Sequence, residues 1–166
     1  MLVISVRSQK AKNLLQTTPF LLFDGNCAEA MTFYQQCLGG ELTLTKLGDT
    51  PMRDQYPKEK HNRLINAHLK SGAIEISASD WMASPTWEPK EGTNVGIFVT
   101  AGTYDEIKAI FDRLLERADK KKGLFVELRD MPFGTFGQFV DKYGVPWKFR
   151  GERKQTPARN TEEVRI

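Results

Sequence analysis

The chain has 166 residues, enough for one domain or for two small modules sharing a core. Its hydrophobic share of 40% and charged share of 27% exclude global disorder. The 24 lysines and arginines interleave with 21 aspartates and glutamates for a net charge of +3. So mild and scattered an excess argues against a nucleic-acid binder, which gathers its cations into a stripe.

Met1-Leu2-Val3-Ile4-Ser5-Val6 is apolar but too short for a signal-peptide core, and no basic segment precedes it. No apolar run approaches the roughly 18 residues of a membrane helix. The expectation is a cytoplasmic protein without a membrane partner, with residues 1–16 as a loose terminus. Phe20-Leu21-Leu22-Phe23 then reads as a buried strand. Asn26 to Leu38 reads as a helix, with Asn26 as cap, Glu29 reaching back and an apolar face of Ala30, Phe33, Tyr34, Cys37 and Leu38. Gly39-Gly40 ends it, because glycine accepts the left-handed conformation. Cys27 and Cys37 lie in this helix about 15 Å apart, at 1.5 Å rise per residue, so they cannot bridge each other. Two unpaired thiols fit a reducing compartment, and Cys37, on the apolar face, reads as a packing residue.

Strands follow at about 41–47, 62–70 and 73–79, with Ser71-Gly72 as a hairpin turn. Gly48 to His61 is polar and reads as a loop with His61 in solvent. Residues 81–92 hold Trp81, Pro85, Trp87 and Pro89 and read as a semi-rigid linker whose tryptophans cover an interface or a pocket rim. Ile97-Phe98-Val99-Thr100 is a second buried strand. Thr103 and Glu106 then form a capping box for a helix with the face Ile107, Ile110, Phe111, Leu114 and Leu115. Asp119 to Lys122 is a charged turn, strands follow at about 124–129, 135–141 and 146–150, and 152–166 is a loose polar tail.

The second helix repeats the first at an offset of 77 residues, caps and apolar face included. Each half is therefore βαβββ: a first module at 17–80, the linker at 81–92 and a second module at 93–151. Neither half buries its sheet alone. The expected fold is α+β, with two four-stranded sheets side by side, helices outside and a concave inner face that serves as a pocket.

Phe23-Asp24-Gly25-Asn26-Cys27-Ala28-Glu29-Ala30, then Phe33-Tyr34 and Gly39-Gly40-Glu41, resembles the first-module signature of the PhnB-like branch of the vicinal oxygen chelate superfamily. Ser79-Asp80 fits the end of that module, and Phe136 to Trp147 resembles the closing motif of the second. That superfamily includes glyoxalase I, bleomycin-resistance proteins and extradiol dioxygenases. The resemblance implies a homodimer, which open sheet edges also call for. Some relatives in this branch carry a methyltransferase label, and the chain has no glycine-rich nucleotide-binding loop to support one.

Metal-using members place His, Glu or Gln on the concave face, on the first and last strand of each module. If Val95, Ile97 and Val99 face the second helix, Asn94 faces the groove, and an offset of 77 gives Thr17 in the first module. If Ile74 and Ile76 face the first helix, Glu75 faces the groove; if Trp147 and Phe149 face the second, so does Lys148. Of Thr17, Glu75, Asn94 and Lys148, only Glu75 is a good ligand for a divalent ion, and the lysine repels one. The expectation is that the standard metal site is absent. Lys148 then pairs with Glu75 where the metal sat, or both are solvated at the groove mouth.

Ile65, Ala67 and Leu69 suit the helix side, which leaves Asn66 and His68 to the groove. His68 is either a general base or an ordinary sheet histidine bonded to a neighbour. Gln138 anchors a ligand or sits at a subunit contact. The first functional reading is a metal-free protein that binds a small organic molecule in the groove through Glu75, Lys148, Asn94, Asn66, His68 and Gln138. The second is a metal-dependent lyase, isomerase or dioxygenase of the glyoxalase kind, built around His68 and Glu75. The third is an interaction protein that docks through its basic tail, Arg150, Arg153, Lys154 and Arg159.

Overall fold

The computed structural model describes residues 17–82, 88–118, 120–121 and 123–154. The first module runs β1 (Phe20–Phe23), α1 (Cys27–Leu38), β2 (Glu41–Lys46), β3 (Leu64–Ser71) and β4 (Ile74–Asp80). The second runs β5 (Ile97–Thr100), α2 (Tyr104–Leu115), β6 (Val126–Met131), β7 (Gly134–Val140) and β8 (Pro146–Gly151). Each makes one four-stranded sheet, in the order β1-β4-β3-β2 and β5-β8-β7-β6. The first strand pairs parallel with the last, and the other pairs are antiparallel. The expected α+β fold of two βαβββ modules is the observed one.

The two helices start by different devices. Thr103 caps α2, accepting from the Glu106 amide while the Glu106 carboxylate accepts from the Thr103 amide. The predicted cap on α1 is not made, since the Asn26 side chain has no cap hydrogen bond. Asp80, at the end of β4, does the work instead. Its Oδ1 accepts from the Gly25 and Cys27 amides at 2.8 and 3.0 Å, and its Oδ2 from the Leu64 amide at 2.8 Å. A carboxylate buried at the head of a helix satisfies orphan amides and opposes the positive end of the helix dipole. Gly39 and Gly40 leave α1 with positive φ, and a Cβ on Gly40 would meet the Lys70 carbonyl at 2.2 Å.

The repeat holds for the helices, whose bounds differ by 77 residues, but slips by one within the first strands. Leu21 and Phe23 face α1, paired with buried Ala78 and Asp80. Ile97 and Val99 face α2, paired with buried Trp147 and Phe149. An offset of 77 would carry Leu21 onto Phe98, which faces the other way. In β3 the buried residue is Leu64 rather than Ile65, because the register with β2 shifts between Thr45 and Lys46. The loop 48–61 winds into short 3-10 turns at Leu47–Asp49, Pro51–Gln55 and Lys58–Lys60. His61 is not free in solvent there: its Nε2 lies 3.0 Å from the Arg53 carbonyl.

One apolar core joins the modules. It contains Phe33, Tyr34, Leu69 and Ile76 from the first and Ile107, Phe111, Trp147 and Phe149 from the second. α1 packs on α2, and the Tyr34 ring meets the Trp147 ring edge-on at 5.2 Å. Each helix lies on one face of its own sheet, as the sequence suggested, and also touches the other helix. The hydrophilic half of this contact is Asp141, wholly buried. It accepts from Tyr34 Oη at 2.6 Å, Trp147 Nε1 at 2.9 Å, and the Tyr143 and Val145 amides at 2.9 Å. Around its rim, Glu29 of α1 takes Lys142, Tyr143 Oη at 3.1 Å and Arg117 at 3.6 Å.

Candidate functional site

Each sheet has one face on the shared core and one face open. Strand pairing fixes what the open faces carry. On the first sheet, Phe20, Ser77, His68 and Thr43 form one row across β1, β4, β3 and β2. His68 Nδ1 lies 3.3 Å from Ser77 Oγ, and Thr18 Oγ1 lies 3.4 Å from the same hydroxyl. Asn66 is exposed opposite Thr45. On the second sheet, Phe98, Lys148, Gln138 and Val126 form a row across β5, β8, β7 and β6. Thr100, Arg150, Phe136 and Arg129 form the next.

The predicted site residues are thus divided. His68 and Asn66 are on the first open face, and Lys148 and Gln138 sit directly opposite each other on the second. Glu75 lies across from Lys70 and pairs with it at 3.1 Å, so its partner within the chain is Lys70, not Lys148. Thr17 lines a small hollow with Glu75 and Lys70. The strand slip makes Thr18, not Thr17, the residue of matching parity in the first module. Asn94 precedes β5 and lines a cleft that Phe20 also lines, and Val95, expected against α2, is 75% exposed.

That space is a cleft of about 780 Å³ between the modules. The unpaired edge of β1, residues 94–97 and the turn 143–146 line it, with residues 88–92 at its mouth. Its walls are apolar at Leu22, Phe23 and Val145 and polar at Asp24, Asn26 and Asn94. Trp81 lies beneath the Lys60 ammonium at 4.9 Å, whereas Pro85 and Trp87 fall outside the described residues.

The donors available for a divalent ion are few. At the four superfamily positions stand a threonine hydroxyl, a carboxylate tied to Lys70, an asparagine ahead of β5 and an ammonium. Among the described residues no three of His, Cys, Asp or Glu gather. The thiols are not nucleophiles: burial pushes Cys27 up to about 12, with Asp80 adding to the shift, and burial pushes Cys37 up to about 11. Sequence reasoning missed the two buried aspartates. The available signal was parity, because Asp80 continues the buried series Ile76, Ala78, and Asp141 continues Thr135, Gly137, Phe139.

Comparison with known proteins places this geometry. A family model described as 3-demethylubiquinone-9 3-methyltransferase matches residues 15–149. Protein YjdN of Escherichia coli K12 is 28% identical over 144 residues, 83% of this chain and 96% of that protein. The crystal structure of PA1353 from Pseudomonas aeruginosa is 29% identical, superposes with a TM-score of 0.70 and covers 85% of this chain and all of that one. A glyoxalase/bleomycin resistance protein/dioxygenase domain from Frankia shares the fold at 14% identity and a TM-score of 0.52, over 86% of this chain and 96% of its own.

Proposed function

The chain belongs to the 3-demethylubiquinone-9 3-methyltransferase family, the PhnB-like branch of the glyoxalase fold, and on that premise we propose that it binds a small organic molecule on its open sheet faces without a divalent metal ion. The observation that carries this reading is the donor set. A transition ion takes imidazole, thiolate or free carboxylate at close range. Here the one carboxylate is committed to Lys70, and an ammonium stands on the last strand of the second module. These residues do not fit a divalent ion.

What the faces do carry suits a small molecule. Phe20 and Phe98 are 61% and 54% exposed, each beside hydrogen-bonding side chains: Ser77 and His68 on one sheet, Lys148 and Gln138 on the other. Apolar surface with a few placed polar groups is the composition of ligand sites. The family description names a methyl transfer, which needs a bound methyl donor. At the strand-to-helix turns the Gly25 and Cys27 amides bond to Asp80, and the Thr103 and Glu106 amides bond within their own box, which leaves fewer amides for a nucleotide-type donor.

The same reading includes a homodimer. β1 and β5 each pair with a strand on one side only. A second copy covers such edges at little cost. Light scattering at twice the chain mass supports this, and a single-chain mass contradicts it.

Elemental analysis of purified protein, with thermal shift against manganese, zinc, nickel and iron, tests the metal-free reading. The expected result is far less than one ion per chain and no metal-dependent rise in Tm. A stoichiometric ion, or a rise of several degrees of the kind that tight binding gives, contradicts it.

A further inference from the structure

The two open faces differ in charge. On the first sheet Glu41, Lys70 and Glu75 lie side by side across β2, β3 and β4, so the cation is flanked by carboxylates. On the second, the two central rows hold Lys148, Arg150 and Arg129 and no carboxylate. Lys148 and Arg129 are exposed, and among the described residues neither has an ion-pair partner. Arg150 donates to the Phe133 carbonyl at 3.2 Å and lies over the Phe133 ring at 5.7 Å. Lys148 and Arg150 are two residues apart on one strand, a spacing of about 6.6 Å. Like charges so placed repel one another, and an anion set among them relieves the repulsion.

The apolar part of the face adjoins the cations. Phe98 is directly opposite Lys148, and Phe136 is directly opposite both Arg150 and Arg129. Gln138, opposite Lys148, adds an amide that donates hydrogen bonds. We propose that this face holds an organic anion with a flat apolar body, an aromatic carboxylate, with its charge at Lys148 and Gln138 and its ring against Phe98. The assignment rests on the small-molecule reading above and adds the ligand class. Charge complementarity selects this occupant over a self-contact of the same face, because a two-fold contact would bring two faces of like charge together.

Calorimetric titration with 2-naphthoate and with its neutral counterpart 2-naphthamide tests the assignment on wild type and on Lys148→Met and Lys70→Met. Both substitutions are at exposed positions and keep the aliphatic stem, and Tm is checked for each. The acid is expected to bind about tenfold more tightly than the amide, and Lys148→Met to remove about that factor, in line with a charge-assisted contact. Lys70→Met is expected to leave binding unchanged. Equal affinity for acid and amide, with no effect of Lys148→Met, overturns the anion assignment but leaves small-molecule binding standing. Loss of acid binding in Lys70→Met alone overturns it by moving the site to the first sheet. No binding of either probe also overturns it, while the metal measurement above still judges the parent reading. A dimer that dissociates in Lys148→Met, with no effect on probe affinity, overturns it too and makes the face a subunit contact.

Discussion

Two acidic residues at the seam between the modules respond to pH with opposite sign. Burial pushes the Asp141 carboxyl above its usual range, against the pull of the Tyr34 and Trp147 hydrogen bonds. A raised value means that this group favours the fold more as pH falls through it and loses that contribution as pH rises. Glu29 is the reverse. The Lys142 hydrogen bond, then that of Tyr143, hold its carboxyl below the ordinary 4.5, so its contribution is present above that value and is lost as pH falls through the depressed one. Thermal melts from about pH 6 to about pH 3 are expected to show a shallower acid-side loss for Glu29→Gln than for wild type. Added salt shrinks the difference because the pair is exposed. An identical acid profile in the variant contradicts the assignment. Neither residue's role was legible in the sequence. Glu29 read as half of a capping box because its spacing from Asn26 fits one, and only the packing of α1 on the second module turns it toward Lys142. Tyr34 and Trp147 did carry a clue, since a buried ring with a polar atom needs a partner, but the partner of Tyr34 lies 107 residues away.

At the scale of elements, the two modules reach the same βαβββ order through different local chemistry. In the second, the cap is written in consecutive residues, and Thr103 and Glu106 do what their spacing announces. In the first, Asp80 caps from the end of a strand brought alongside β1 by parallel pairing. Asn26→Ala is therefore expected to change stability by less than about 0.5 kcal/mol, as for a surface substitution. Asp80→Ala is expected to cost more than about 2 kcal/mol, because it leaves three amides without an acceptor. Denaturant unfolding of both variants checks this, and the reverse order of costs would restore the local cap. The helices, their apolar faces, the glycine stop and most strands were legible because periods of 3.6 and 2 are local properties. The strand faces were legible only in part. Counting alternate residues placed Lys148, Asn66 and His68 on open faces, yet a one-residue slip in a strand-to-helix turn reverses parity without disturbing the helix that follows. That slip moved the first-module position from Thr17 to Thr18. The two-residue lead into β5 left Asn94 in the cleft between modules.

At the scale of the molecule, the sequence showed a duplication but not how its copies meet. A helix face records that something apolar covers it, not whether that cover is its own sheet or the neighbouring helix. The structure has α1 beside α2 and one core joining the helix-covered faces of the two sheets, which leaves the opposite face of each sheet open to solvent. No helix among the described residues is long and apolar enough to cross a membrane. The central claim is that these open faces bind a small molecule directly, without an ion between protein and ligand. Amide chemical-shift mapping with a panel of small aromatic fragments, on protein treated with a chelator, tests it most directly. The account predicts saturable shifts around Phe98, Gln138 and Lys148, or around Ser77 and His68, that are unchanged when manganese, nickel or zinc is added. Shifts that appear on these strands only after one of those ions is restored would contradict it.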